Sequence, residues 1–373
     1  MKILHVITSL KTGGAEHLLV DLLPALRDRG DEVELLLFNG QETPFYRELT
    51  DKGITIHSLS TQNKPYDWHN VLGMRRYIKE FDIVHTHNTA CQLFAPLARL
   101  LCVGHRAQLV TTEHSASNRR RGKWYYWLVD KWMYGHYKAI ICIADKTKHN
   151  LAEHLKSSRG LLTINNGVDT SRFHNDIKDI TGQQSFIITM TAGLRAEKDQ
   201  DTVVRAMALL PENYTLRLVG SGARHDVLKA LIDEVGVQDR VQMLGMRTDV
   251  PQLLAESDIN LLSSHWEGLS LSSIEGMMSG RPFVASDVDG LREMVGGAGV
   301  LFEHGNAQTL ADVITSLCSD PAYYHDVAAR CQARAAQYDI STMADKYHEL
   351  YGELSAGGPH AENFARRPAQ TKI

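Results

Sequence analysis

The segment SSHWEGLSLSSIEGMMSGRP, at positions 263–282, contains two glutamates with seven residues between them. Paired carboxylates commonly catalyse hydrolysis, as in glycosidases, so the spacing of Glu267 and Glu275 decides whether this activity fits. The apolar residues between and after them have three- and four-residue spacing, which predicts a helix that begins near Ser270. Because a helix rises about 1.5 Å per residue, the two carboxylates are expected to contact different parts of one ligand. This arrangement does not favour hydrolysis of a single bond.

The start of that helix predicts an anion site. The backbone amides of Gly268, Leu269 and Ser270 are expected to face the ligand, because the first amides of a helix favour a bound phosphate. Leu271 then opens the helix. A carboxylate accepts hydrogen bonds from sugar hydroxyls, so one carboxylate on each side of a phosphate site matches the sugar, diphosphate and ribose of a nucleotide sugar. The alternative is that both glutamates are solvated charges, although Glu275 stands among apolar residues.

Two cations occur upstream in the segment GLRAEKD. Arg195 and Lys198 lie three residues apart, directly after a predicted strand. At the end of a strand both side chains can reach one anion. Gly193 opens this segment, and Gly220 lies in the turn LVGSG after the next strand, where a small residue lets backbone approach a ligand. The alternative interpretation is that both cations are solvated loop charges.

These residues need parallel sheets to position them. In the first half of the chain, strands are predicted at residues 1–8, 32–38, 54–58, 82–87, 108–112 and 139–143. In the second half, they are predicted at residues 186–192, 214–220, 241–245, 258–263, 281–286 and 299–302. Strands that alternate with helical patterns are typical of an α/β fold with doubly wound sheets. Since such sheets bind ligands beyond the carboxyl ends of their strands, we expect two Rossmann-like domains facing a cleft.

The predicted domain boundary falls in the polar segment LLTINNGVDTSRF. We expect an N-terminal domain at residues 1–172 and a C-terminal domain at residues 173–340. A helical pattern follows at 341–354, and the polar, turn-rich residues 355–373 predict a disordered tail. The first turn, TSLKTGGAE, lacks GxGxxG, and the second strand ends without an acidic residue, so a dinucleotide-dependent oxidoreductase is disfavoured.

The composition, with 43% hydrophobic and 23% charged residues among 373, is that of a globular protein. No apolar run is long enough to span a bilayer. Five cysteines without a CxxC pair favour neither a disulfide framework nor a zinc site, and we expect a cytoplasmic protein. Residues 1–170 contain 22 Lys and Arg against 17 Asp and Glu, and the remainder contains 18 against 27. The two halves are therefore expected to face different partners.

Six motifs occur in a fixed order: TGGAE, TEH, NGVD, GLRAEKD, LVGSG and EGLSLSSIEGMMSGRPFVASDVDGLREMV. In this order they resemble the retaining glycosyltransferases of family 4, which have the GT-B fold. The resemblance extends over nearly the whole chain, to about residue 354. The block EGLSLSSIE with the upstream GLRAEK is specific, whereas TGGAE or NGVD alone is a weak signal.

The resemblance implies roles for four charged residues of the second half. Arg195 and Lys198 would hold the leaving diphosphate. Glu275 would bind the ribose hydroxyls, and Glu267 would orient the transferred sugar. Cations and helix amides stabilise the charge that develops on a leaving diphosphate, so no protein nucleophile is required. Configuration would be retained if the acceptor attacked from the face that the phosphate leaves, with a phosphate oxygen taking its proton.

In the first half, the resemblance implies contacts with the sugar and the acceptor. Gly13 and Gly14 would let the first loop approach the sugar phosphate, and His114 would contact the sugar near the reacting carbon. The helix at 341–354 would return to the first, acceptor-binding domain. The expected donor is a nucleoside-diphosphate sugar, with UDP favoured. The expected acceptor is a hydroxyl of a polysaccharide or of a lipid-linked glycan precursor.

Two pairs of residues have spacings that a metal ion can use. His85 and His87 point to the same face of a strand end, but no third ligand is nearby in sequence, so we interpret them as cleft or core histidines. Asp287 and Asp289 form an Asp-x-Asp pair that follows a predicted strand and is interpreted as a turn. The upstream cations already supply positive potential. We therefore expect catalysis without a metal ion or a cofactor.

The segment NRRRGKWYYWLVDKWMY, at positions 118–134, mixes cations with aromatic residues. This mixture suits an anionic membrane surface or a lipid-linked acceptor, and it would make the protein peripheral on the inner face of the membrane. The alternative is a helix whose aromatic residues belong to the core. No nucleic-acid partner is expected. The residues concerned are Arg119, Arg120, Arg121, Lys123, Trp124, Tyr125, Trp127 and Trp132.

Two other functions fit the same binding residues. A nucleotide-sugar epimerase also holds a sugar and a nucleoside diphosphate between two domains, although the TGGAE turn and the EGLSLSSIE block favour a transferase. A non-catalytic nucleotide-sugar binding protein would keep the binding residues without turnover. Product analysis without acceptor separates these functions, because only an epimerase should then convert the donor.

Overall fold

The structure, a computed structural model, describes residues 1–11, 13–102, 104, 107–114 and 124–356. It divides the chain into two compact units. Unit 1 comprises Met1–Gly167 and the C-terminal segment that begins at Ile340, and unit 2 comprises Val168–Asp339. The predicted boundary after residue 172 thus falls inside unit 2. From residue 357 onward, the predicted disordered tail lies outside the described residues.

Unit 1 is built on seven parallel strands in the order β3-β2-β1-β4-β5-β6-β7. The strands are β1 (Lys2–Ile7), β2 (Glu32–Asn39), β3 (Thr55–Ser60), β4 (Ile83–His87), β5 (Gln108–Glu113), β6 (Ala139–Cys142) and β7 (Leu161–Thr163). The connecting helices are α1 (Gly14–Arg27), α2 (Pro44–Asp51), α3 (His69–Ile78), α4 (Thr89–Leu100), α5 (Trp124–Gly135) and α6 (Asp145–Leu155). The central strands β1, β4 and β5 are almost wholly buried, as in a parallel sheet with both faces covered.

Unit 2 contains six parallel strands in the order β10-β9-β8-β11-β12-β13. The strands are β8 (Phe186–Thr191), β9 (Tyr214–Val219), β10 (Val241–Gly245), β11 (Ile259–Leu262), β12 (Phe283–Ser286) and β13 (Val300–Phe302). The helices are α7 (Gln200–Leu209), α8 (His225–Glu234), α9 (Val250–Glu256), α10 (Leu271–Met278), α11 (Leu291–Val295), α12 (Ala307–Ser319) and α13 (Pro321–Ala335). The two parallel sheets confirm the predicted α/β class with two Rossmann-like domains.

The segment LLTINNGVDTSRF is more than a connector. Its first residues form β7, which pairs with β6 at the edge of the sheet of unit 1. This strand was not among those predicted, and the polar, glycine-rich middle of the segment, which was interpreted as the connector, follows it. A strand of three residues is too short to show a period of two, so the apolar pattern gave no signal.

The last helix, α14 (Ile340–Ser355), belongs to unit 1 and packs against α1. Its Asp345 accepts a hydrogen bond from Arg29 Nε at 2.7 Å, and His348 Nδ1 lies 2.7 Å from Asp31 Oδ2. The opposite face of α14 is fully buried in unit 1. Among the described residues, no helix combines the length and apolar composition that crossing a membrane requires.

Candidate functional site

The carboxylate of Glu267 joins two loops of unit 2. It contacts the ammonium of Lys198 and accepts a hydrogen bond from Ser264 Oγ at 2.7 Å. Glu267 and Lys198 are both largely buried, so solvent screens their attraction less than that of a surface pair. The structure therefore brings together a residue of EGLSLSSIE and a residue of GLRAEKD, as a shared site requires.

Hydrogen bonds to the backbone hold these loops in place. Ser263 Oγ donates to the carbonyl oxygens of Lys198, at 3.0 Å, and Asp199, at 2.7 Å. The amide of His265 donates to the carbonyl oxygen of Glu197 at 2.8 Å. Ser263 was not predicted as a site residue. The signal that could have found it is a pair of hydroxyl residues at the end of a buried strand.

Arg195 and Lys198 have different surroundings. Arg195 caps the short 3-10 helix Ala196–Lys198, and its side chain is 60% exposed, with Nη1 3.8 Å from Glu197 Oε1. Lys198 is held by Glu267. Of the two predicted diphosphate ligands, Arg195 thus offers an exposed guanidinium and Lys198 offers an ammonium whose position is fixed.

Two glycines let the turn LVGSG approach the GLRAEKD loop. A Cβ at Gly220 would overlap the carbonyl oxygen of Ala192, and a Cβ at Gly222 would overlap that of Leu194. Gly220 also has φ of +142°, a conformation that L side chains rarely adopt. The close backbone approach predicted at Gly220 is therefore made by protein. Gly193 lies in the approached loop, and a Cβ there would meet only ordinary contacts.

The helix predicted after Glu267 is α10. Ser270 is its N-cap residue, but the Ser270 side chain makes no capping hydrogen bond. Ile274 and Met277 are fully buried in the core of unit 2. Glu275 is only 4% exposed, and a carboxylate at this depth requires polar partners. The alternative that Glu275 is a solvated helix charge is therefore wrong.

The loop of Glu267 and Gly268 rests on the turn before α11. Gly290 in this turn has φ of +84°, and a Cβ there would lie 2.5 Å from the carbonyl oxygen of Glu267 and 2.6 Å from that of Gly268. Any side chain at this position would displace the loop. The predicted donor-binding residues Leu269 and Leu271 pack, partly buried, against the core of unit 2.

An arginine binds the Asp-x-Asp pair. Arg292 Nε donates to Asp287 Oδ1 at 2.6 Å, and Arg292 Nη1 lies 3.4 Å from Asp289 Oδ1. The pair lies in the turn that precedes α11. Both carboxylates thus already contact a cation of the chain.

Two other groups of described residues place potential metal ligands close together. In the group of Asp199, His265 and His304, His265 Nδ1 lies 2.6 Å from His304 Nε2 and 3.9 Å from Asp199 Oδ2. Imidazole ligands suit zinc or another late transition metal better than magnesium. The groups are His5, His85 and His87, and Asp199, His265 and His304.

His114 directly follows β5 in unit 1 and belongs to a chain of three imidazoles. Its Nε2 lies 3.0 Å from His87 Nδ1, and His87 Nε2 lies 3.0 Å from His5 Nδ1. Burial lowers the pKa of His5 to about 3 and the pKa of His114 to about 4. Burial and the neighbouring histidines lower the pKa of His87 well below its usual value. All three rings are therefore neutral at neutral pH.

His85 lies beside this chain and bonds elsewhere. Its Nδ1 lies 2.5 Å from the hydroxyl of Tyr351, and its Nε2 lies 2.7 Å from the hydroxyl of Thr112. His85 and His87 were predicted to lie either in a cleft or in the core. Both are fully buried, so they are core residues. His5 was missed, because it precedes His87 by 82 residues and is brought to it only when β1 pairs with β4.

Gly13 and Gly14 stand at the start of α1. Gly13 is the N-cap residue, and its carbonyl oxygen accepts a hydrogen bond from the amide of His17 at 3.0 Å. A Cβ at Gly13 would overlap the carboxylate of Glu16, whereas a Cβ at Gly14 would have no neighbour within 4 Å. The open space beside Gly14 suits the predicted approach of a ligand.

Helix α5 exposes three of the four aromatic residues that the membrane interpretation names. Trp124 is 76% exposed, Tyr125 and Trp132 are also exposed, and Trp127 is half-buried. The alternative that these side chains belong to the core does not hold for the three exposed ones. Residues 115–123 lie outside the described part of the chain, and they include Arg119, Arg120, Arg121 and Lys123.

A cavity of about 550 Å³ lies beside β3 and α3 in unit 1. Its lining is polar and includes Lys64, Asp67 and Arg76. None of the predicted site residues lines it, so its volume alone does not make it the site.

Comparison with known proteins assigns both halves of the chain. The family model described as Glycosyltransferase Family 4 matches residues 12–172, and the one described as Glycosyl transferases group 1 matches residues 173–337. The chain is 25% identical over 312 residues to the UDP-Gal:alpha-D-GlcNAc-diphosphoundecaprenol alpha-1,3-galactosyltransferase of Escherichia coli, across 77% of this chain and 80% of that protein. It is 24% identical over 365 residues to the N-acetyl-alpha-D-glucosaminyl L-malate synthase of Bacillus anthracis, across 92% of this chain and 94% of that protein.

Solved structures agree with the sequence matches. HepE of Anabaena, in complex with UDP and glucose, superimposes with a TM-score of 0.82 at 25% identity, across 95% of this chain and 100% of that one. Its fold is the GT-B arrangement that the two parallel sheets predict. Family models, relatives and fold together show that this chain is a glycosyltransferase that belongs to family 4.

Proposed function

We propose that the protein is a retaining, metal-independent glycosyltransferase. It moves a sugar from a nucleoside-diphosphate sugar, preferably a UDP-sugar, to a hydroxyl of a polysaccharide or lipid-linked glycan precursor. The observation that carries this proposal is the contact of Glu267 with Lys198 and Ser264, which positions a carboxylate and a cation together. UDP in the HepE complex supports the donor, and diphosphoundecaprenol in the name of the Escherichia coli relative supports the acceptor.

The leaving diphosphate gains negative charge during the reaction, and each site residue has a proposed role in relation to it. As the bond from the sugar to the phosphate breaks, Lys198 and Arg195 would stabilise the negative charge that develops. These groups and the amides at the start of α10 lower the barrier because they are oriented before the reaction. Glu267 would orient the sugar while Ser264 holds its carboxylate. Glu275 would accept hydrogen bonds from the ribose hydroxyls.

Retention follows from the side of attack. The acceptor oxygen would bond to the sugar carbon on the face that the phosphate leaves, and a phosphate oxygen would take the acceptor proton. His114 would contact the sugar near this carbon, and Gly13 and Gly14 would leave space for the sugar phosphate. The anomeric configuration of the product, read by NMR, tests this step. An inverted product would contradict it.

Nucleotide binding tests the donor. A ligand at 100 times its Kd stabilises the native state by about 2.7 kcal/mol, so UDP should raise Tm more than equal concentrations of ADP or GDP. Product analysis then separates the alternatives. An epimerase would convert the donor without acceptor, and a binding protein would bind UDP without turnover on any acceptor.

Metal independence is tested separately. Arg292 binds Asp287 and Asp289, so a divalent ion at the Asp-x-Asp pair would have to displace this arginine. Excess chelator should leave turnover unchanged. Loss of nearly all turnover, restored by manganese or magnesium, would contradict this part of the proposal.

A further inference from the structure

The chain His5, His87 and His114 runs from the interior of unit 1 to the proposed sugar contact. The first two rings lie on the neighbouring strands β1 and β4, and the third directly follows β5. Both nitrogens of His87 are hydrogen-bonded: Nε2 to His5 Nδ1 and Nδ1 to His114 Nε2, each at 3.0 Å. His87 therefore connects a fully buried residue with a half-buried one at the strand end.

Ring orientation disfavours a metal ion shared by His5, His85 and His87. The rings of His85 and His87 are stacked, with centroids 4.4 Å apart and 19° between their planes. Those of His5 and His87 are inclined by only 14°. The lone pair of an imidazole nitrogen lies in the ring plane, so the stacked rings of His85 and His87 direct their lone pairs into separate planes. Both nitrogens of His85 also contact hydroxyl groups already, those of Tyr351 and Thr112. The cluster is better described by its hydrogen bonds.

A neutral imidazole carries one N–H and one lone pair, so the chain can run in only two directions. If the proton of His114 were on Nε2, the N–H groups would point inward and end with an N–H at His5 Nε2. That nitrogen is fully buried and has no hydrogen-bond partner among the described residues. Buried N–H groups without partners are rare. The opposite direction leaves only a lone pair there and is favoured.

We propose that His5 and His87 are positioning residues that fix the tautomer of His114. The Nδ1–H of His5 donates to His87 Nε2, and the Nδ1–H of His87 donates to His114 Nε2. His114 therefore carries its proton on Nδ1. It is a hydrogen-bond donor to an oxygen of its ligand, and its lone pair is unavailable as a base. Only the identity of that ligand, the transferred sugar, rests on the proposed function.

The tautomer can be measured without substrate. Long-range 1H–15N spectra of protein labelled with 15N-histidine distinguish protonated from unprotonated ring nitrogens, and His114→Ala assigns the His114 signals by their loss. At neutral pH we expect a protonated Nδ1 and an unprotonated Nε2. The reverse tautomer, or a ring protonated at both nitrogens, would overturn the proposal whether or not the protein transfers sugar.

Two substitutions of His87 separate hydrogen bonding from packing. The amide of glutamine can both accept and donate, so His87→Gln should keep the His114 tautomer and most of the turnover. Leucine can do neither, so His87→Leu should abolish the fixed tautomer and lower kcat about tenfold, with little change in donor KM. Equal losses in both variants would overturn the positioning role.

Tyr351→Phe is the matched control. It removes a buried hydroxyl from His85 Nδ1, in the same cluster but outside the chain. We expect lower stability and an unchanged His114 tautomer. A tautomer change as large as that in His87→Leu would show that any damage to the core has this effect, and it would overturn the proposal.

A double variant distinguishes this inference from the proposed function. If His87 acts through His114, then His87→Leu combined with His114→Ala should turn over donor at the rate of His114→Ala alone. A further loss in the double variant would refute the positioning role. If His114→Ala itself retains full turnover, the proposed sugar contact fails, while the tautomer measurement still decides the inference.

Discussion

At the scale of residues, the two glutamates of the EGLSLSSIE block occupy different environments. Glu267 shares a cluster with Lys198 and Ser264, whereas Glu275 is buried within α10. A carboxylate beside the reacting sugar gains importance as positive character develops there. A carboxylate that binds the ribose stabilises the bound donor and the transition state equally. The two residues should therefore affect different kinetic constants.

We predict that Glu267→Gln chiefly lowers kcat, whereas Glu275→Gln chiefly raises the KM of the donor. Loss of one charge-assisted hydrogen bond is worth about 1.5–3 kcal/mol, or roughly ten- to a hundredfold. Steady-state kinetics of both variants, with folding checked by circular dichroism, measure the effects. The exposed Glu234→Gln on α8 is the control and should change neither constant.

Other outcomes of this experiment are equally informative. Wild-type kinetics in either variant would mean that its glutamate lies outside the site. If donor hydrolysis were lost while sugar transfer remained, the pair would regain the hydrolytic role that its spacing argues against.

Candidate site residues could be named where a motif contains them, but their contacts could not be predicted. Glu267 and Lys198 each belong to a recognisable motif, yet their contact joins positions 69 residues apart. It depends on how the loops after β8 and β11 fold. His5 belongs to no motif at all, and only the pairing of β1 with β4 reveals its role.

At the scale of elements, the site depends on turns that fit closely against it. The turn at Gly290 supports the backbone of Glu267 and Gly268. Most strands were predictable from apolar runs, because a parallel sheet buries both faces of its central strands. Short elements such as β7 lack a measurable period, and a supporting turn such as that of Gly290 has no signature of its own.

We predict that Gly290→Ala destabilises unit 2 and weakens UDP binding. The alanine backbone must adopt φ of +84°, and its Cβ must displace the carbonyl oxygens of Glu267 and Gly268. Gly297→Ala is a matched control, because Gly297 has φ of +75° and no neighbour within 4 Å. Gly290→Ala should cost about 1–3 kcal/mol more than the control in urea unfolding, owing to overpacking. Equal losses and equal UDP affinities by calorimetry would refute the supporting role.

Helix α5 presents an apolar surface whose members follow helical spacing. This surface suits insertion into the headgroup region of an anionic membrane, where a lipid-linked acceptor would lie. The surface consists of Trp124, Tyr125, Leu128, Val129 and Trp132, all of them exposed.

We predict that the protein co-sediments with anionic liposomes at low salt and that Trp124→Ser weakens this binding about tenfold, because it removes a large apolar contact. Val227→Ser, at an exposed apolar position on α8 in unit 2, is the control and should bind like the wild type. If the wild-type protein stays in solution, the membrane interpretation should be dropped.

At the scale of the whole molecule, unit 1 holds four neighbouring histidines that are neutral when folded. Burial is the main cause of the lowered pKa of each of them. The unfolded chain takes up protons at these rings below the ordinary histidine pKa of 6.5, whereas the folded chain resists protonation down to about 4 at His114 and about 3 at His5. Stability should therefore fall as the pH drops below about 6.5 and be unaffected by these groups above it.

We predict that each fully shifted histidine contributes up to about 1.4 kcal/mol per pH unit to this loss. Urea unfolding between about pH 7.5 and pH 5, followed by tryptophan fluorescence, measures it. The substitution His5→Asn should reduce the slope of stability against pH by about one bound proton. An equal slope in wild type and His5→Asn would show that His5 does not resist protonation.

Unit 1 is assembled from two stretches of chain with unit 2 between them, and this has a consequence for synthesis. The hydroxyls of Tyr347 and Tyr351 on α14 reach Thr112 and His85 in the sheet of unit 1. During translation, those partners emerge from the ribosome long before α14 exists. Unit 2 is contiguous and complete once Asp339 has emerged. Unit 2 can thus complete its folding before unit 1, whose core lacks α14 until the end of synthesis. This order is the reverse of the N-terminal-first folding that is usual for multidomain chains.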